Sequence, residues 1–171
     1  MTLEKTLSLL IEYNVPNHII GHSYKVAKIV WYIAEELKKV PQLKFNREIT
    51  FYAAFLHDIT KYQSILNKGE DHSYTGGQLL RKLGYPDIAE IIESHVVLRN
   101  INYLKFEKEL VFYADKRVKH EEIVSLKERF EDLKNRYGLN DKVAKGFRVA
   151  EDIEKKLQKL GVKVEYLELL N

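Results

Sequence analysis

Histidine and aspartate recur in this chain among apolar neighbours. His57 and Asp58 close the run Phe51-Tyr-Ala-Ala-Phe-Leu56, and His22 lies near the start of a long amphipathic stretch. His72 opens another such stretch, His95 closes one, and Asp115 interrupts Val111-Phe-Tyr-Ala114. Burying a charge without a partner is costly, so residues placed this way need company. Taken alone, His57-Asp58 reads as a hydrogen bond at a helix end. Four of the six histidines and two aspartates on elements able to converge on one cavity read differently. Neutral imidazole and carboxylate are ordinary ligands for zinc, iron or manganese. Cysteine is absent, which removes a thiolate zinc site and any disulfide framework.

The elements that must position these groups are helical by periodicity. Residues 2–13 form an amphipathic helix with Leu3, Leu7, Leu10 and Ile11 on one side. Asn14 to Asn17, containing Pro16, break it and open a helix to about Lys39, striped by Ile19, Val26, Val30, Ile33 and Leu37. A third helix runs from about Arg47 to His57. Thr60 to Asp71 lacks periodicity and reads as a surface loop, where substrate contacts tend to gather. Helices follow at about 72–83, stopped by Gly84, and at 86–95, opened by Pro86. The last three are expected at 106–119, 121–137 and 140–160. The tail Val162-Lys-Val-Glu-Tyr166 alternates and reads as a short strand. Its apolar groups are expected to pack on the domain or on a second copy of the chain, as a homodimer. The fold class is all-α, a single domain over 1–171 with seven or eight helices.

Composition bounds the rest. At 171 residues the chain can bury a sizeable core. A net charge of +3 is too small to argue for nucleic acid. Without a long apolar run the expectation is a soluble, cytoplasmic protein with no membrane partner. Charged residues make up 31% of the chain, a bias reported for hyperthermophile proteomes, so a thermophilic source is expected.

The order His22, His57-Asp58, His72, His95, Asp115, set in Gly-His-Ser-Tyr, Leu-His-Asp-Ile-Thr-Lys, Asp-His-Ser-Tyr, Glu-Ser-His-Val and Tyr-Ala-Asp-Lys, resembles the HD superfamily of metal-dependent phosphohydrolases. The resemblance covers about residues 16–130, leaving 131–171 as C-terminal helices and tail. It implies an all-helical fold and a phosphohydrolase that cleaves a phosphate ester or anhydride, of a nucleotide, with a metal-held hydroxide. His22, His57, Asp58 and Asp115 match the common metal ligands, and His72 and His95 match the extra histidines of members with two metals. Asp58 would bridge two divalent ions, iron, manganese or similar. Lys61 matches the lysine that follows the HD pair and would hold a phosphate oxygen, so Asp58 and Lys61 carry the catalytic expectation. His18 stands where related members carry arginine and is expected beside the ligands or substrate. Arg117, two residues past Asp115, is weighed equally as a substrate contact and as part of a solvated face. Lys61, Lys68, Lys116 and Arg117 suit an anion with more than one phosphate. Small stand-alone relatives of this layout cleave dinucleoside tetraphosphates, the specific substrate implied. The alternative is a non-catalytic nucleotide-binding regulatory domain. His120 lies outside the pattern and is expected to be exposed, and Glu128, Arg129 and Asp132 read as surface charge patterning.

Overall fold

A computed structural model describes residues 1–67, 70–96, 105–138 and 140–171. Lys68 lies outside the described residues. Among them are nine α-helices: α1 Leu3–Glu12, α2 Asn17–Glu36, α3 Arg47–Leu56, α4 Lys61–Leu66, α5 His72–Lys82, α6 Pro86–Ile92, α7 Phe106–Asp115, α8 Leu126–Tyr137 and α9 Asp141–Lys159. Strands β1 Val118–Lys119 and β2 Glu122–Ile123 pair antiparallel. No helix among the described residues is long and apolar enough to cross a membrane.

Helix starts follow their cap chemistry. Thr2, Asn46, Ser125 and Asn140 accept from backbone N–H groups three residues on, and Asp71 caps α5 through Ser73 N. The core centres on α2, which packs on α3 and α7, while α3 also meets α6 and α7. Ile29, Ile33, Leu56, Ile59, Ile92, Leu110, Phe112 and Tyr113 are fully buried there. Leu56 and Ile59 flank the His-Asp pair, and burying each contributes about 1.5–3 kcal/mol. That apolar frame holds the polar pair inside the domain.

Three expectations are corrected. The loop expected over 60–71 contains α4. This helix buries Ser64 but exposes Ile65 and Leu66, so it carries no amphipathic signal. The helices expected to meet near residue 120 are separated by the β1–β2 hairpin, whose two-residue strands are too short for an alternating pattern. The tail is a 3-10 helix, Val164–Leu170, after a turn at Gly161 with φ +86°. It packs on its own domain through Val162, Val164 and Leu167. Asn171 supplies what a partner strand would: its Oδ1 accepts from Ile123 N at 2.7 Å and its Nδ2 donates to Ile123 O at 2.9 Å.

Candidate metal centre

Asp58 sits in the turn after α3 with 1% of its surface exposed, and four histidines surround it. Its Oδ2 lies 3.4 Å from His57 Nε2 and 4.0 Å from His22 Nε2. Its Oδ1 lies 3.3 Å from His72 Nε2 and 3.6 Å from His95 Nε2. Each carboxylate oxygen thus serves a separate histidine pair. Asp115, at the end of α7, closes the first group, with Oδ1 3.1 Å from His22 Nε2 and 3.7 Å from His57 Nε2.

The ring orientations are set by carbonyls. His57 Nδ1 donates to Ala54 O at 2.7 Å, His95 Nδ1 to Ile92 O at 2.7 Å, and His22 Nδ1 to His120 O at 2.8 Å. A carbonyl can only accept, so the Nδ1 atoms carry protons and the Nε2 atoms turn inward, the arrangement metal-binding histidines use. His72 Nε2 stands 3.2 Å from His95 Nε2, whose lone pair, with the His95 proton on Nδ1, can be met by a proton of His72 or by a cation. His57 Nε2 and Asp58 Oδ1 are buried without a hydrogen-bond partner, although carboxylate oxygens stand 3.4 and 3.7 Å from the first and imidazole nitrogens 3.3 and 3.6 Å from the second. Orphaned buried acceptors of this kind fit a divalent cation. The groups His22-His57-Asp58 and Asp58-His72-His95 are each compact enough to hold one.

The electrostatics agree at the carboxylates and at His95, whereas for His57 burial favours the neutral ring but Asp58 and Asp115 raise it above its ordinary value. Burial pushes the Asp58 carboxyl up, but His57, His72 and His95 outweigh it and hold the group well below the usual carboxylate range. Burial opposes ionisation of Asp115 too, and Lys116, His22 and His57 outweigh it in the same direction. Burial lowers His95 to about 4, keeping its imidazole neutral and available as a ligand. For Lys61 burial favours the neutral amine, yet Asp58 and Asp115 raise it above its ordinary value.

Lys61 reaches Asp58 Oδ2 at 2.6 Å and Lys116 reaches Asp115 Oδ2 at 2.5 Å. Both line a cavity of about 390 Å³ together with Asp58, His72, His95, Asp115 and Arg129. Two expected substrate contacts are not there. His18 is exposed and does not line the cavity, and it makes no hydrogen bond or ion pair among the described residues. Arg117 is neither at the substrate nor on a solvated face. Only 3% of it is exposed, and its guanidinium binds Val124 O, Tyr113 Oη, Glu154 and Glu168.

Two contributors were not singled out from sequence. Thr60 Oγ1 donates to the His72 carbonyl at 2.9 Å and sits 2.9 Å from Thr75 Oγ1, tying the start of α5 to the turn after His57. Gly76 permits this approach, since a Cβ there would lie 3.3 Å from Thr60 Oγ1 and 3.5 Å from Ile92. His120 is exposed as expected, but its backbone orients His22, and it stands at φ +54° in the hairpin turn. A backbone carbonyl leaves no mark in residue type. Arg129 and Asp132, expected on the surface, pair at 2.5 Å with side chains only 12% and 11% exposed.

The model of the HD domain family matches residues 19–128, a span that holds all six metal-binding candidates and ends in the first turn of α8. No curated protein and no solved structure matches the chain. The matched span covers more than half of the sequence, and its buried His-Asp cluster is built for a cation: the chain belongs to the HD domain family, a superfamily of metal-dependent phosphohydrolases.

Proposed function

We propose that the protein hydrolyses a phosphate ester or anhydride of a nucleotide, using two divalent cations, iron, manganese or similar. The observation that carries this reading is the division of Asp58. Oδ2 faces His22 and His57, and Oδ1 faces His72 and His95, so one carboxylate is shared between two donor groups. His22, His57, Asp58 and Asp115 would hold one ion, and Asp58, His72 and His95 the other. When bound, such ions activate water and offset charge on the phosphoryl oxygens.

The chain's own residues do the rest. The carbonyls of Ala54, Ile92 and His120 fix three imidazoles before any ligand arrives. Lys61 and Lys116, held at the cavity by Asp58 and Asp115, place positive charge where phosphate oxygens would lie. A purely nucleotide-sensing role is disfavoured because the full set of six candidate ligands is present.

Elemental analysis of carefully prepared protein should approach two metals per chain, and Asp58→Ala should lose both the metal and turnover. A panel of phosphate compounds should include diadenosine tetraphosphate, whose symmetrical cleavage gives two diphosphates. A firm stoichiometry of one would reduce the site to a mononuclear centre. Metal-loaded protein that turns over no phosphate compound would overturn the enzyme reading in favour of a sensor.

A further inference from the structure

The cavity beside the metal centre has two ends of opposite character. One holds the candidate ligands with Lys61 and Lys116; the other has a mostly apolar wall, with Leu126, Phe130, Leu133, Val143, Phe147 and Ala150, and carries Asn140 and Lys142 at the start of α9. The second wall comes from α8 and α9, nearly all of it beyond residue 128, where the family match ends. The centre therefore lies within the family match and the wall almost wholly beyond it. Inorganic phosphate or a small phosphate ester would need only the polar end. An apolar wall opposite it has a use when the substrate carries an apolar group as well.

Three details say what kind of group. Phe130 and Phe147 stack at 4.3 Å with their planes 28° apart, both half-buried, giving the wall flat aromatic surface. Gly146 lies inside α9, where glycine is a poor helix former, and it lines the cavity. Neither packing nor backbone demands a glycine there. A Cβ at 146 would meet no atom within 4 Å, in contrast to Gly76, and its φ is not in the left-handed region. What a side chain would take is cavity space. Arg129 also lines the cavity, near enough to Lys61 for their charges to repel. Its NH1 is anchored on Asp132, which also holds Arg136, while its buried Nε has no acceptor among the described residues. A planar guanidinium with an unused donor suits a phosphate oxygen.

The geometry points to a nucleobase site on the α8–α9 wall, kept open by Gly146, with Arg129 holding phosphate between the base and the metal centre. This rests on the phosphohydrolase reading for the phosphate end and assigns the substrate class by the other end. The probes are non-hydrolysable phosphonate analogues of AMP, ribose 5-phosphate and hexyl phosphate, titrated calorimetrically into full-length metal-loaded protein.

Wild type should bind the AMP analogue about tenfold or more tightly than the ribose analogue, in the range of a base stacked on an aromatic side chain. Gly146→Leu should erase that advantage and leave the ribose analogue unchanged. Gly146→Ala, a better helix former, should keep the melting temperature at or above wild type and so report folding separately. Arg129→Gln should weaken both analogues about tenfold, the loss of one charged hydrogen bond. An AMP analogue that binds no better than the ribose analogue, or is indifferent to Gly146→Leu, overturns the proposal. So does a hexyl analogue that gains as much as AMP, which would make the wall an alkyl site. The two readings fail separately. Base-selective binding without turnover sinks the hydrolase and leaves this site standing, whereas turnover of small phosphate esters without base selectivity does the reverse.

Discussion

Arg117→Met separates a substrate contact from a structural one. The guanidinium is buried, with Nε donating to Val124 O at 2.7 Å and NH1 to Tyr113 Oη at 2.8 Å and to Glu154 at 2.9 Å. NH2 reaches Glu168 at 3.3 Å, but that side chain is 51% exposed and its pair contributes little. Methionine fills the stem's volume and removes every donor. Breaking a buried pair costs about 3–5 kcal/mol. The Glu154 side chain is 25% exposed and can reach water, which places the cost near the lower end, about 3 kcal/mol. At about 2–4 °C per kcal/mol for a chain of this size, the melting temperature should fall by about 6–12 °C. Thermal unfolding followed by circular dichroism measures this. Kinetics well below both midpoints should show unchanged kcat and KM per metal-loaded chain. A midpoint within about 2 °C of wild type together with a raised KM would refute the reasoning and put Arg117 back at the substrate.

Lys61→Ala should leave metal content at the wild-type level and lower kcat/KM about 10- to 100-fold, the loss of one charge-assisted hydrogen bond to phosphate. Wild-type kcat and KM in that variant would end its assignment to the substrate. Removing residues 162–171 strips the buried Val162, Val164 and Leu167, about 5–9 kcal/mol of gross burial before chain entropy is set against it. It also removes Asn171 from Ile123 and the Leu170 carbonyl from Lys28. A clear drop in melting temperature is expected, and an unchanged melt would mean that the tail is not held as described.

The convergence of the six polar positions was legible because they stand in, or at the ends of, helices with buried faces, where an unpartnered charge would be costly, and because their order resembles that of one family. The helices themselves were legible wherever one face is buried. What stayed hidden has physical reasons. Helix α4 buries too little to show a period, and the hairpin at 118–123 is too short to alternate. Arg117 was weighed from its nearness to Asp115 in sequence, but its acidic partners lie 37 and 51 residues away, beyond the reach of local spacing. Its neighbour Lys116 stays with Asp115 and lines the cavity instead. Arg129 and Asp132 do form the i,i+3 pair their spacing allows, yet both are partly buried, Arg129 at the cavity, which local spacing does not show.

The arrangement also explains how two anionic residues tolerate the interior. Asp58 and Asp115 are almost wholly buried; Asp115 turns one oxygen to Lys116 and the other to imidazoles, while on Asp58 the oxygen that meets Lys61 also faces His57 and His22. A lysine ammonium is a point charge on a flexible stem, and Lys61 keeps 37% of its side chain in solvent. It can therefore neutralise a buried carboxylate from the cavity side without being locked into the core. The same placement puts it where an incoming phosphate would lie. On the proposed phosphohydrolase function, stability and recognition would then draw on one charge at the rim of the domain, while three of the four imidazoles behind it are fixed by backbone carbonyls that no side-chain substitution removes directly. The family's centre is in this sense built to be rigid at the back and adjustable at the front. The front is also where α8 and α9 add the wall that lies outside the family match.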